Sequence, residues 1–335
     1  MNLKRKFKIE PSDDSIVLIC VLRDEILLLP YFIEYYAKIG VSHFIFVDNN
    51  SIDDSQKYLC EHPFENIKVY HTDKEYSKNL YGVSWVNEIL NDQLKNKWCI
   101  VVDVDELIQL KDKINLPNLR TNMQNSNASI LVTCLLDFYP SKLNKKVYKS
   151  GTPFHDHSDM FDEMNDDNVF YAIQNDGVVT IKGGLRHRLL NSQNKPNNDS
   201  VCLTKKTFFK YDFYETHYLS AGCHWLMPNN FIDWLHPDND KLWKTTNKFL
   251  KFYEKIQILG HFKYLKPNVF EYFEERVNRN QDWDGGIRVS SGSIEYQTYI
   301  KNKSEEMEGS ISEVYNYDNS NLYKKTLDSI FKKRH

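Results

Sequence analysis

The chain has 335 residues, 41% of them hydrophobic and 27% charged, with a formal net charge of −3. That length holds one large domain or two ordinary ones, and the near balance of charge excludes a chain-wide attraction to nucleic acid or anionic membrane. Only 12 glycines stand against 21 tyrosines and 19 phenylalanines, which excludes collagen-like, linker-like and disordered classes.

Residues 1–13 read as a basic N-terminal tail with no apolar secretory region behind it. From residue 14 to 136, short apolar runs recur at Ile16–Leu22, His43–Val47, Ile67–Tyr70, Trp98–Val102 and Ile130–Leu136. Between the first two, Leu28, Tyr31, Phe32, Tyr35, Tyr36 and Ile39 share one helix face, and Gly40 supplies a stop. Val83, Val86, Leu90 and Leu94 repeat the pattern before the Trp98 run. Fully apolar strands alternating with amphipathic helices predict an α/β, Rossmann-like, mostly parallel sheet flanked by helices.

Residues 137–300 form a more irregular half, with an exposed loop expected at 191–200. Helical faces at Phe249, Phe252, Tyr253 and Ile256, and at Phe270, Phe273 and Val277, predict a helical C-terminal part. A polar extension, 301–335, ends in KKRH. Six cysteines form no CxxC pair, and Cys20, Cys99 and Cys134 sit in apolar runs, so the expectation is free thiols and a cytoplasmic location. No apolar stretch has the length of a transmembrane helix. The basic ends (Lys4, Arg5, Lys6, Lys8; Lys332, Lys333, Arg334) read as solvated termini, or as a peripheral contact with the inner face of an anionic membrane.

Acidic residues follow two of the apolar runs. Asp48 comes after Val47, and Asp103 and Asp105 come after Val102. In open parallel sheets, ligands bind outside the carboxyl ends of strands where the strand order reverses. Two residues apart on an extended chain, Asp103 and Asp105 would point to one side and share a Mg²⁺ or Mn²⁺ ion, with Val104 facing the core. The other reading is a pair of solvated acids where a strand meets water. A third acid at a second strand end favours the metal.

These motifs have a likeness. RDEILLLPYFIEYYAKIGVSHFIFVDNNSIDDS resembles the opening of bacterial family-2-like glycosyltransferases of the GT-A fold, and WCIVVDVDELIQL resembles their DxD segment. LLDFYPSKL, MFDEM, GGLRHR, the LTKK stretch, LGHFKYL, WDGG and EYQTYI are similar to later blocks in the same order, so the resemblance covers about residues 14–300. It implies a nucleotide-sugar donor, a UDP-sugar first, with Mn²⁺ or Mg²⁺ on its diphosphate and a glycan or lipid-linked acceptor. The setting it implies is assembly of surface polysaccharide or lipopolysaccharide. Carried over, Asp48 holds the base or ribose, Arg23 and Glu25 border the nucleotide, and Asp103 and Asp105 are the DxD. His261 completes the metal shell, and Lys263 lies beside the phosphates.

Sugar transfer needs charge stabilised on the departing diphosphate, which a divalent cation and nearby Arg or Lys supply. Arg186, His187 and Arg188, behind the close-approach glycines Gly183 and Gly184, are candidates, with a solvated basic turn as the alternative. On its residues alone, His261 reads as a hydrogen-bonded core histidine. An inverting transferase also needs a carboxylate base. Asp137, Asp156, Asp159, Asp162 and Glu163 qualify, and the MFDEM block puts Asp162 first and Glu163 second. The HDH of 155–157 reads as a surface turn rather than a zinc site. Trp225, Trp234, Trp243 and Trp283 read mainly as core, with Trp283, beside Gly285 and Gly286, as the sugar-stacking candidate.

Walker A, GxGxxG and GxSxG motifs are absent. Two rivals remain. A sugar-nucleotide pyrophosphorylase would place a glycine-rich loop where this chain reads VLRDEI. A carbohydrate-binding protein without activity would not need acids at two strand ends.

Overall fold

The computed structural model describes residues 1–110, 114–126, 128–140, 147–162, 169–173, 179–185, 196, 202–211, 257–266 and 320–322. The chain divides into two compact units, Met1–Thr133 with Lys205–Leu259, and Cys134–Thr204 with Gly260–His335. The division falls inside a strand. The return of residues 205–259 to the first unit has no counterpart in local sequence periodicity.

In unit 1 the parallel centre is β2 (Ile16–Leu22), β3 (His43–Asp48), β4 (Ile67–His71) and β5 (Trp98–Val101). β2 pairs in parallel with β3, from Val17↔His43 to Leu22↔Asp48, and with β5, from Ile16↔Trp98 to Ile19↔Val101. β3 pairs in parallel with β4, ending at Asp48↔His71. The chain therefore steps from β2 through β3 to β4 on one side, then places β5 on the other side of β2. That reversal makes a switch point between β2 and β5.

Helices cover both faces of this sheet. α1 (Leu29–Ile39) starts with Pro30 in its first turn and buries Leu29, Phe32, Ile33 and Tyr36. Phe32 meets Phe46 of β3 with ring centroids 6.3 Å apart. On the opposite face, α3 (Val83–Gln93) packs Val83, Val86, Ile89 and Leu90 into one cluster with Val17, Ile19, Ile45 and Val47. The shorter α2 (Ser55–Glu61) links β3 to β4. The Rossmann-like α/β expectation holds.

Four elements lie where the sequence reading placed no strand or helix. Residues 2–5, expected within a tail, form β1 (Asn2–Arg5), antiparallel to β4. Arg5 donates to the carbonyls of Leu59 and Phe64 near the end of α2, which fixes this edge. β6 (Glu106–Gln109) follows β5 after a turn rather than extending the Trp98 run. α4 (Leu116–Asn125) is mostly polar and buries only Leu116, Leu119 and Met123, and Asn115 Oδ1 caps it by accepting from Asn118 N–H. β11 (Thr204–Lys210) pairs antiparallel with β5, from Lys210↔Trp98 to Phe208↔Ile100.

Unit 2 is antiparallel. β7 (Ile130–Tyr139) enters it from unit 1 and pairs with β8 (Met160–Asp162), which also carries β13 (Ser320–Leu322). β9 (Val169–Ile173) and β10 (Val179–Gly183) form a separate pair. Phe138 stacks on Phe262 at 4.7 Å and meets Phe161 at 5.2 Å, an aromatic core typical of such small sheets. The HDH stretch forms one helical turn that exposes Asp156 and buries His157. It lies in α5 (Phe154–His157), where His157 is buried with Nδ1 3.2 Å from Ser158 Oγ. β12 (Gln257–His261) crosses the division, with Gln257–Leu259 in unit 1 and Gly260 and His261 in unit 2. The predicted helical faces at 249–256 and 270–277 lie outside the described residues. Among those described, no helix is long and apolar enough to cross a membrane.

Gly40 ends α1 at φ +111°, and an added Cβ would stand 2.5 Å from Pro117 Cδ. A Gly40→Ala variant should lose about 2 kcal/mol in urea unfolding, from the left-handed backbone and the clash together. A loss below about 0.5 kcal/mol would contradict this account of the stop.

Candidate functional site

The loop after β2 is held by the loop after β3. Asp24 takes a left-handed backbone, φ 56°, and its Oδ1 accepts from Ile52 N–H at 2.7 Å. In return, the N–H groups of Asp24, Glu25 and Ile26 donate to Ser51 Oγ, Ser55 Oγ and Asp53 Oδ2. The polar run DNNSIDDS is thus a bracket for RDE. It fixes Arg23 and Glu25 at the carboxyl end of β2, beside the switch point. Arg23 Nε is buried and meets no hydrogen-bond partner among the described residues, and Asp24 Oδ2 lies 3.6 Å away. The Arg23 side chain is 34% exposed, so the guanidinium is partly open to a ligand.

Across the switch point, Asp103 to Glu106 form a turn in which Glu106 N–H donates to Asp103 C=O at 3.1 Å. The expectation of an extended chain here is corrected, because the strand ends at Val101. The outcome for Val104 is nevertheless the expected one. It is buried, while Asp103 is exposed and Asp105 half-buried. Glu106, which the sequence reading passed over, accepts from Asp103 N–H at 2.9 Å and pairs with Lys205 Nζ at 2.6 and 2.8 Å.

These acids act on one another's surroundings. Burial holds the Cys20 thiol well above its ordinary value, and the carboxylates of Asp103, Glu25, Glu106 and Asp105 raise it further.

Asp48 is placed differently from the role carried over to it. It is fully buried, and its Oδ2 accepts from Gln56 Nε2 at 2.7 Å and lies 2.9 Å from His71 Nδ1. Ser51 N–H reaches Oδ1 at 3.3 Å. A ligand at this strand end would meet His71, 22% exposed, before it met the Asp48 carboxylate. The cause is the Asp48↔His71 register, which sets the imidazole over the acid.

Asp137, Asp162, His261 and Lys263 belong to unit 2. Asp137 Oδ1 is 2.6 Å from His261 Nδ1, and Tyr139 O–H donates to Asp162 Oδ1 at 2.7 Å. Continuing the Phe138↔Phe161 register by one residue sets Asp137 opposite Asp162, so two of the carboxylate-base candidates share one sheet face with His261. Lys263 opens a 3-10 turn, Lys263–Leu265. Glu163, Arg186, His187, Arg188 and the four tryptophans singled out above lie outside the described residues.

Among the described residues, no group of three or more His, Cys, Asp or Glu side chains is gathered to hold a metal ion. Mg²⁺ and Mn²⁺ do not require one. Hard cations in such sites take one or two carboxylates and draw their remaining oxygens from phosphate and water. Asp103 and Asp105, with an orphaned buried Arg23 nitrogen nearby in the fold, fit a cation bound together with a diphosphate.

No protein-family model matches the sequence, and no curated protein matches it. Solved structures similar to the chain include the 4-diphosphocytidyl-2C-methyl-D-erythritol synthase of Anaerococcus prevotii DSM 20548, at 10% identity and TM-score 0.31. That match covers 88% of this chain and 100% of that one. HddC from Yersinia pseudotuberculosis aligns at 11% identity and TM-score 0.32, over 60% of this chain and 79% of its own. A UDP-glucose pyrophosphorylase complexed with UDP-glucose aligns at 12% and 0.26, over 56% and 82%. Likeness at these values carries no argument about activity.

The buried thiols give a pH test. Burial raises Cys99 as it does Cys20. Unfolded thiols release their protons near pH 8.5, whereas the native ones keep them, so stability falls as pH rises above that value. The urea midpoint should be lower at pH 9.5 than at pH 7.5, and mass spectrometry should find Cys20 and Cys99 unalkylated in the native protein at pH 8. Native-state alkylation of Cys20 at that pH would contradict the burial.

Proposed function

We propose that the chain is a divalent-metal-dependent glycosyltransferase. It would move a sugar from a nucleotide-sugar donor, a UDP-sugar first, to a hydroxyl of a glycan or lipid-linked acceptor, with inversion. The observation that carries this reading is the turn at the end of β5. Buried Val104 anchors it, and exposed Asp103 and half-buried Asp105 stand at the switch point with β2. The ordered motifs of the sequence support the same class.

The chain's own residues divide the work as follows. Asp103 and Asp105 would hold Mn²⁺ or Mg²⁺, which when bound neutralises charge on the departing diphosphate. Arg23, whose side chain is partly exposed, would donate to a diphosphate oxygen, and the bracket of Ser51, Asp53 and Ser55 fixes the loop that presents it. His71, seated on Asp48, borders the nucleoside side. The resemblance makes Asp162, with Glu163 and Asp137 after it, the proposed acceptor of the hydroxyl proton, although Asp162 and Asp137 are buried in unit 2 against Tyr139 and His261.

Nucleotidyl transfer of the pyrophosphorylase kind is less well supported by the β2 loop. A phosphate-cradling loop needs free backbone donors, and three successive N–H groups here, Asp24 to Ile26, are already used by side chains of the next loop.

The test is turnover of a panel of nucleotide sugars with Mn²⁺ and an acceptor glycan. The reading expects release of nucleoside diphosphate, and Asp105→Ala should lower kcat/KM by at least about 100-fold while the fold is kept. Release of pyrophosphate from a nucleoside triphosphate and a sugar phosphate would favour the pyrophosphorylase. Binding without turnover would favour the carbohydrate-binding rival. Unchanged transfer by Asp105→Ala would overturn the assignment.

A further inference from the structure

The sequence motif stops at Asp105, but the geometry that presents it does not. Glu106 turns its carboxylate back to accept from Asp103 N–H at 2.9 Å, while its own N–H donates to Asp103 C=O at 3.1 Å. Residues 103 and 106 are thereby closed on each other twice, in the reciprocal manner of a helix capping box. Glu106 is itself held from two sides. Tyr36 of α1 donates its hydroxyl to Glu106 C=O at 2.9 Å, and Lys205 Nζ reaches both carboxylate oxygens. The Lys205 and Glu106 side chains are 0% and 2% exposed.

Lys205 is also placed by strand pairing. It lies on β11, whose far end pairs with β5 from Lys210↔Trp98 to Phe208↔Ile100. Thr133 Oγ1 donates to Lys205 C=O at 2.9 Å and fixes the backbone there. A buried ion pair is a poor source of stability, since apolar residues of similar volume commonly replace one without loss. What it supplies is a fixed direction. It also compensates the Glu106 carboxylate, so the acid that closes the turn is neutralised within the fold.

We infer that Lys205 and Glu106 are positioning residues that hold the Asp103–Asp105 turn in the form that takes a divalent cation. This rests on the reading that the turn is the cation site of a nucleotide-sugar enzyme. Neither residue touches the diphosphate. They act through Asp103.

The test compares two double variants of the full chain. Glu106→Leu with Lys205→Met removes the charges and the acceptor for Asp103 N–H, and Glu106→Gln with Lys205→Met keeps an acceptor oxygen. The Leu/Met variant should bind Mn²⁺–UDP at least about tenfold more weakly by calorimetry, and Mn²⁺ alone more weakly by electron paramagnetic resonance, with its melting temperature within about 5 °C of the parent. The Gln/Met variant should recover to within about threefold, which a loss of packing alone would not produce. Hydrogen exchange in the unmodified protein is independent of how the variants fold. There the Asp103 amide should exchange at least about tenfold more slowly than an open amide despite the residue's exposure. Parent-like Mn²⁺ affinity in the Leu/Met variant, or an unprotected Asp103 amide, would overturn the inference. If the parent binds Mn²⁺ but not UDP, the enzymatic reading fails while the metal isotherms still decide the positioning role. If the parent binds no Mn²⁺, both fall.

Discussion

The parallel pairing of β2 with β3 on one edge and β5 on the other governs everything that unit 1 can do. Because β3 lies on one side of β2 and β5 on the other, the loops that follow β2 and β5 meet at a switch point at the carboxyl edge of the sheet. Polar side chains at that edge cost little to expose, and the core behind them is rigid. Val17, Ile19, Ile45 and Val47 pack under α3, while Phe46 meets α1. A loop carried by such strands is positioned to within the tolerance of a packed interior.

Charge is the second constraint. Four carboxylates, Glu25, Asp103, Asp105 and Glu106, act on one buried thiol, and such a cluster would repel itself without partners. Among the partners the fold supplies are a buried lysine on Glu106 and a partly open arginine on the neighbouring loop. The arrangement leaves Asp103 and Asp105 as the acids facing outward. A divalent ion with a diphosphate is the kind of ligand whose charges match that pattern, since the cation meets the acids and the anion meets Arg23.

How much of this the sequence disclosed depends on distance along the chain. The bounds of β2 and nearly all of α1 follow from apolar spacing and from Gly40, because those signals are local. The same logic set Asp103 and Asp105 at a strand end with Val104 inward. It failed where the cause is remote. Lys205 and Glu106 are 99 residues apart, and no local pattern couples them. The burial of Asp48 depends on His71 from the next strand and Gln56 from the following helix, partners that no local pattern announces. β1 is four residues long and α4 is largely polar, so neither carries a periodic signal strong enough to recognise.

The most direct measurement of the central claim is paramagnetic broadening of backbone amide signals by substoichiometric Mn²⁺ in the presence of UDP. The account predicts that signals of residues 103–105 and of Arg23 to Glu25 disappear first, while those of β1, on the far edge of the sheet, persist. Broadening centred anywhere else, or none at saturating UDP, would contradict the assignment of the switch point as the cation and diphosphate site.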